Sequence, residues 1–129
     1  MKCNHKMHVY RRKDIQWKQI LFKLNRGFSR RAVQVKLIEK KIKSSPRPVI
    51  VCGDFNDTPS SYAYQVMSEN LQDAFVEKGT GFGQTYTGYF APFRIDYVFL
   101  SKKMKVRHFQ NIKDGASDHY PVVCDFSLK

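Results

Sequence analysis

Apolar positions along this chain follow two different periods. Trp17, Leu21, Leu24, Phe28, Ala32, Val35, Ile38 and Ile42 recur every three or four residues and form one stripe, the pattern of a long amphipathic helix. Asp14 is placed to cap its start. At ~1.5 Å per residue such a helix approaches roughly 40 Å, and Gly27 inside it costs about 1 kcal/mol relative to alanine, which marks a point for a break or kink. Ser44-Ser45-Pro46-Arg47-Pro48 ends it, because proline disfavours helical geometry in the residue before it and donates no backbone hydrogen bond.

Beyond Pro48 the period shortens. Val49-Ile50-Val51-Cys52 is a continuous apolar run, which predicts a strand buried on both faces, with Gly53 opening the following loop. Residues 60–70 predict a short helix capped by Ser60 or Ser61, with Tyr64, Met67 and Leu71 at helical spacing. A loop rich in glycine and threonine runs from Gly79 to Gly88, and its neighbourhood carries Tyr86, Tyr89 and Phe90, rings able to stack a base or to pack the core. Three more strands are predicted over residues 95–100, 106–112 and 122–126. Two helices, four strands and polar clusters after strand ends indicate an α/β fold.

Composition supports one domain's worth of core, since 129 residues are 42% hydrophobic and 14% aromatic. No apolar run approaches the roughly 18 residues needed to span a bilayer, and the basic N-terminus does not lead into the apolar core of a signal peptide. Cys3, Cys52 and Cys124 are too scattered for a disulfide framework or a zinc site, which points to small core hydrophobes in a reducing, intracellular compartment. The net charge of +12 is uneven: residues 1–47 carry 15 Lys and Arg against 2 acidic residues, whereas residues 48–129 carry 8 against 9. That step near residue 47 divides the chain into an N-terminal segment (residues 1–13), a basic amphipathic helix (residues 14–47) and a nearly neutral sheet region (residues 48–129). The basic residues fall mainly off the apolar stripe, so they form either a solvated helix face or a footprint for a nucleic-acid backbone, the latter with steep salt dependence.

The chemistry gathers in three polar clusters set against apolar strands. They are Gly53-Asp54-Phe55-Asn56-Asp57, Asp96 within Arg94-Ile95-Asp96-Tyr97-Val98-Phe99, and Ser117-Asp118-His119 before the last strand. A carboxylate inside an apolar strand is costly without a partner, and His119 is the natural one for Asp96. Such a pair fixes the imidazole tautomer and favours its protonated form. Asp54, Asn56 and Asp118 then provide oxygen ligands and a base, a donor set suited to Mg²⁺ or Mn²⁺. Asp57 reads as a turn residue, and Arg94 as either a solvated strand-end charge or a phosphate contact.

Together Pro48-Val49-Ile50-Val51-Cys52-Gly53-Asp54-Phe55-Asn56-Asp57, Arg94-Ile95-Asp96-Tyr97-Val98 and Ser117-Asp118-His119-Tyr120-Pro121-Val122 resemble the last three motifs of the endonuclease/exonuclease/phosphatase superfamily, in order and at family-like separations. The resemblance covers residues 15–129 and leans toward Bacteroidetes members. It implies a Mg²⁺-dependent phosphodiesterase or phosphomonoesterase and one half of a four-layer α/β sandwich, with a mixed or mostly antiparallel sheet. It also implies that Asp54 activates water, that Asn56 orients it or the phosphate, and that His119 contacts the scissile phosphate with support from Asp96. Asp118 is implied in metal or water binding. The family's first half supplies an asparagine, a metal-binding glutamate and a further histidine that have no counterpart here; Asn4, His5 and His8 do not stand in an apolar strand. Self-association or pairing with an N-terminal half is the expected consequence, since the sheet face turned toward that half needs cover. A half-domain inactive by itself is the alternative to an intrinsically active enzyme.

Overall fold

A computed structural model describes residues 27, 30–88, 93–113 and 117–129. By packing they divide into two units, one ending at Gln34 and one spanning Val35–Lys129. Most of the long helix expected from Asp14, including Trp17, Leu21, Leu24 and Phe28, lies outside the described residues, as do Cys3, Asn4, His5, His8, Tyr89 and Phe90. Gly27 is helical, and residues 30–44 form helix α1, which ends where the Ser-Ser-Pro segment was expected to stop it. On α1, Glu39 receives Lys36 at 2.9 Å and Lys43 at 2.7 Å, pairs at the i,i+3 and i,i+4 spacings that bring helical side chains together.

The remaining elements are β1 (Ile50–Asp54), α2 (Tyr62–Asn70), β2 (Gln72–Asp73), α3 (Ala74–Lys78), β3 (Asp96–Leu100), β4 (Met104–Asn111) and β5 (Val122–Leu128). Ser61 caps α2, accepting from the Tyr64 backbone N–H. Neither β2 nor α3 was expected from the apolar pattern. Asp73 explains the switch between them, because its carboxylate accepts from the Phe75 N–H at 2.9 Å and caps the new helix within one residue of the strand.

β3 lies at the centre of an antiparallel sheet of order β1-β3-β2, and β4 pairs with β5 in a separate antiparallel hairpin. The alternation of a strand sends Tyr97 and Phe99 to one face and Val98 and Leu100 to the other. The first face packs with Val35 of α1, with Ala63, Val66 and Met67 of α2, and with Leu71, the residue that ends α2. The second joins Ala74, Met104, Val106 and Phe109 beneath the hairpin. A central strand covered on both faces accounts for the unbroken apolar run from Tyr97 to Leu100.

β1 differs from its expected burial. Val51 packs against the helical layer, but Ile50 remains 40% exposed and Cys52 is exposed. The second core includes residues of β3 and none of β1, so among the described residues the outward face of β1 is uncovered. Val123, Phe126 and Leu128 of β5 are exposed as well.

Candidate active site

The site begins where β1 ends. Gly53 has φ 150°, in a region that side chains rarely adopt, and Asn56 has φ 49°, a left-handed conformation that asparagine tolerates. The tight loop between them folds Asn56 back onto Asp54: its backbone N–H donates to Oδ1 at 2.8 Å and its Nδ2 donates to Oδ2 at 3.1 Å. Phe55 anchors the loop from within. Its N–H donates to the Ile95 carbonyl at 2.8 Å, and its ring meets Tyr97 edge-on at 5.3 Å. The Tyr97 hydroxyl lies 2.8 Å from the Asp57 carbonyl and 2.7 Å from that of Arg94, tying the far end of the loop to β3. Asp57 is buried at that junction.

The antiparallel register sets Asp54 opposite Asp96. His119 arrives from the segment before β5, and its Nδ1 lies 2.9 Å from Asp96 Oδ2. This is the partner that a carboxylate at the head of an apolar strand requires. Deep burial is not involved, because the side chains stay 32% and 21% exposed. A proton on Nδ1 directed at Asp96 leaves Nε2 outside that bond. Each of Asp54, Asp96 and His119 offers one ligand atom, and these atoms lie within 4.8 Å of one another. Asp118 stands exposed beside His119 and outside that trio; its carboxylate accepts from Ser117 at 3.4 Å and its carbonyl from the Thr87 N–H at 2.8 Å.

The hydrogen bond that His119 donates to Asp96 raises the pKa of the imidazole above its ordinary value of 6.5, with the charges of Asp96, Asp54 and Asp118 adding to it. Since the folded value exceeds the unfolded one, the pair stabilises the fold fully below about pH 6.5 and loses that contribution as pH rises through the folded pKa. NMR titration of the metal-free chain is expected to place the His119 midpoint above 6.5, and Asp96→Asn to return it toward that value. Identical midpoints in the two proteins would remove Asp96 as the cause.

Three features were not legible beforehand. Thr85, fully buried, bonds to both β3 and the His119 segment. Tyr86 bridges Phe93 and His119, with its ring 5.0 Å from the imidazole. Arg94 follows neither expected reading: its guanidinium is buried, meets Asp73 at 2.5 Å, and lies 4.6 Å from the Phe75 ring centre and 4.8 Å from that of Tyr97. It holds α3 and β3 together and is turned away from solvent. Aromatic residues on both sides of a lone arginine were the available signal.

The sequence matches the Endonuclease/Exonuclease/phosphatase family over residues 4–119. Among solved structures, the chain is similar to a mannosyl-6-phosphatase of Bacteroides thetaiotaomicron, with TM-score 0.66 and 23% identity over 76% of this chain and 46% of that one. A family protein from Bacteroides vulgatus gives TM-score 0.63 and 30% identity, covering 77% and 44%. The human Nocturnin catalytic domain gives 0.60 and 23%, covering 80% and 41%. A UPF0294 protein of Vibrio vulnificus is 32% identical over 95 residues, 74% of this chain. The chain therefore spans a third of that curated relative and under half of each solved structure. The family match over most of the length, together with three motif segments brought onto one sheet end, establishes that the chain belongs to the endonuclease/exonuclease/phosphatase family.

Proposed function

We propose that the chain carries the C-terminal part of a metal-dependent phosphoesterase site. The observation that carries this reading is the convergence of Asp54, Asp96 and His119, with the imidazole fixed by Asp96. Asp54 and Asp96 offer carboxylate oxygens within 4.8 Å of each other and of a ring nitrogen of His119, and such hard oxygen donors favour Mg²⁺ or Mn²⁺. Asp54 would be the principal ligand from this chain, with the Asn56 amide beside it and Asp118 next to His119 to complete its surroundings. Such an ion, when bound, polarises a phosphoryl oxygen and offsets developing negative charge.

The residues of the chain supply the rest. Asn56 fixes both oxygens of Asp54, and each oxygen keeps a lone pair with which to accept a proton from water. His119, protonated more readily because of Asp96, donates from Nε2 to an anionic phosphate oxygen. Asp96 orients that ring and Asp118 adds negative charge beside it.

A second part of the proposal concerns completeness. The uncovered face of β1 and its outer edge adjoin Asp54, and the chain spans under half of its solved relatives. We read that edge as the place where an N-terminal half, from an upstream segment or another chain, completes a four-layer sandwich and the metal site; self-association is the competing way to cover it. The test is hydrolysis of DNA, RNA and a phosphomonoester with Mg²⁺ or with chelator, run with and without a supplied N-terminal half. Metal-dependent turnover is expected in the mixture. Absence of turnover on every substrate would overturn the phosphoesterase reading, and full turnover by the chain alone would overturn the need for a second half.

A further inference from the structure

We infer that Thr85 is a positioning residue for the Asp96–His119 pair, acting through its hydroxyl oxygen. This rests on the site proposed above and adds a residue to its machinery. Thr85 is completely buried, and its Oγ1 accepts two backbone N–H groups, from Ile95 and Asp96, each at 3.0 Å. Its backbone carbonyl accepts the Tyr120 N–H at 2.7 Å, and its N–H donates to the Phe93 carbonyl at 2.9 Å. One residue thus ties the start of β3, which carries Asp96, to the residue following His119.

The need for this arises from the sheet. β2 is only two residues long and pairs with β3 opposite Phe99 and Leu100, so it does not reach Asp96. On the other side β1 ends at Asp54, opposite Asp96. The head of β3 consequently has a strand on one edge, and the Thr85 hydroxyl takes the place of a second strand at the N–H groups of Ile95 and Asp96. Among the described residues those two groups have no ladder partner, and buried donors without partners are rarely left so. Two residues on, Thr87 extends the clamp, donating from its N–H and its hydroxyl to the Asp118 carbonyl at 2.8 and 3.2 Å.

A hydroxyl in this role differs from a residue that merely fills space. Valine matches the shape of threonine and removes the acceptor; serine keeps the acceptor and removes a methyl group. In the full chain, Thr85→Val is expected to shift the Ile95 and Asp96 amide resonances and the ring ¹⁵N signals of His119 that report its bond to Asp96, while the β4–β5 amides stay in place. Thr85→Ser is expected to restore the native signals. In the assembled active domain the same Val variant should lower kcat by up to about 10²-fold with little change in KM, because small misplacement of a reacting group costs that much. Native His119 signals in Thr85→Val overturn the inference. So does Thr85→Ser failing to restore them, an arm that still decides the matter if the Val variant does not fold. These resonances are read without hydrolysis, so failure of the phosphoesterase reading and failure of the Thr85 coupling show up separately.

Discussion

His119→Ala and Asp54→Asn are each expected to lower metal-supported phosphoester hydrolysis by the assembled site by about 10²–10⁴-fold, the range for removal of a positioned acid–base group. The two act on opposite sides of the same reaction. Without His119 the phosphate oxygen loses the donor proposed for it, and Asp96 loses the partner it meets at 2.9 Å. With asparagine at position 54 the amide that replaces Oδ1 or Oδ2 opposes the donors of Asn56, so both the charge and the loop geometry suffer. Groups acting in one step are not independent, so the double variant should lose far less than the product of the two single losses. Steady-state rates for the three variants decide this, and unchanged turnover in either single variant would refute the role assigned to it.

Asp73→Asn is expected to destabilise the chain by about 3–5 kcal/mol, because it strands a buried guanidinium. The side chains of Arg94 and Asp73 are only 8% and 2% exposed. Asp73 also accepts from the Tyr64 hydroxyl at 2.9 Å and caps α3, so its charge serves three donors at once. Against a total stability of roughly 5–15 kcal/mol this is a large share. Arg94→Met combined with Asp73→Asn removes both charges and should recover much of the loss, since an apolar replacement of a buried pair is often tolerated. Denaturant unfolding of the single and double variants measures the coupling. A loss below about 1 kcal/mol for Asp73→Asn would show that Arg94 finds other compensation.

The site was more legible than the fold around it. Gly53-Asp54-Phe55-Asn56, Asp96 and Ser117-Asp118-His119 stand out because polar residues interrupt apolar strands, and burial makes such interruptions costly without a partner. Strand positions near Asp96 and Val122 and the cap at Ser61 likewise follow from local patterns that need no knowledge of distant neighbours. β2 and α3 escaped notice because they are two and five residues long, below the span over which a period can be read. Arg94 was misjudged for a related reason. Its charge suggested solvent or phosphate, whereas an aspartate 21 residues earlier and three aromatic rings enclose it.

Sequence alone singled out the polar side chains that the fold gathers at one sheet end, since their types and their placement at strand ends are properties of the chain. It also determined the charge step near residue 47 and the stop of α1, because proline acts on its immediate neighbours. Tertiary structure decided how those side chains meet. The antiparallel register sets Asp54 opposite Asp96, and the hydroxyl and carbonyl of Thr85 link the head of β3 to the segment bearing His119. It also decided that β1, apolar enough for burial on both faces, is covered on one among the described residues. Pairing and coverage depend on which distant segments lie alongside, and that information is spread over the whole fold and absent from any local window.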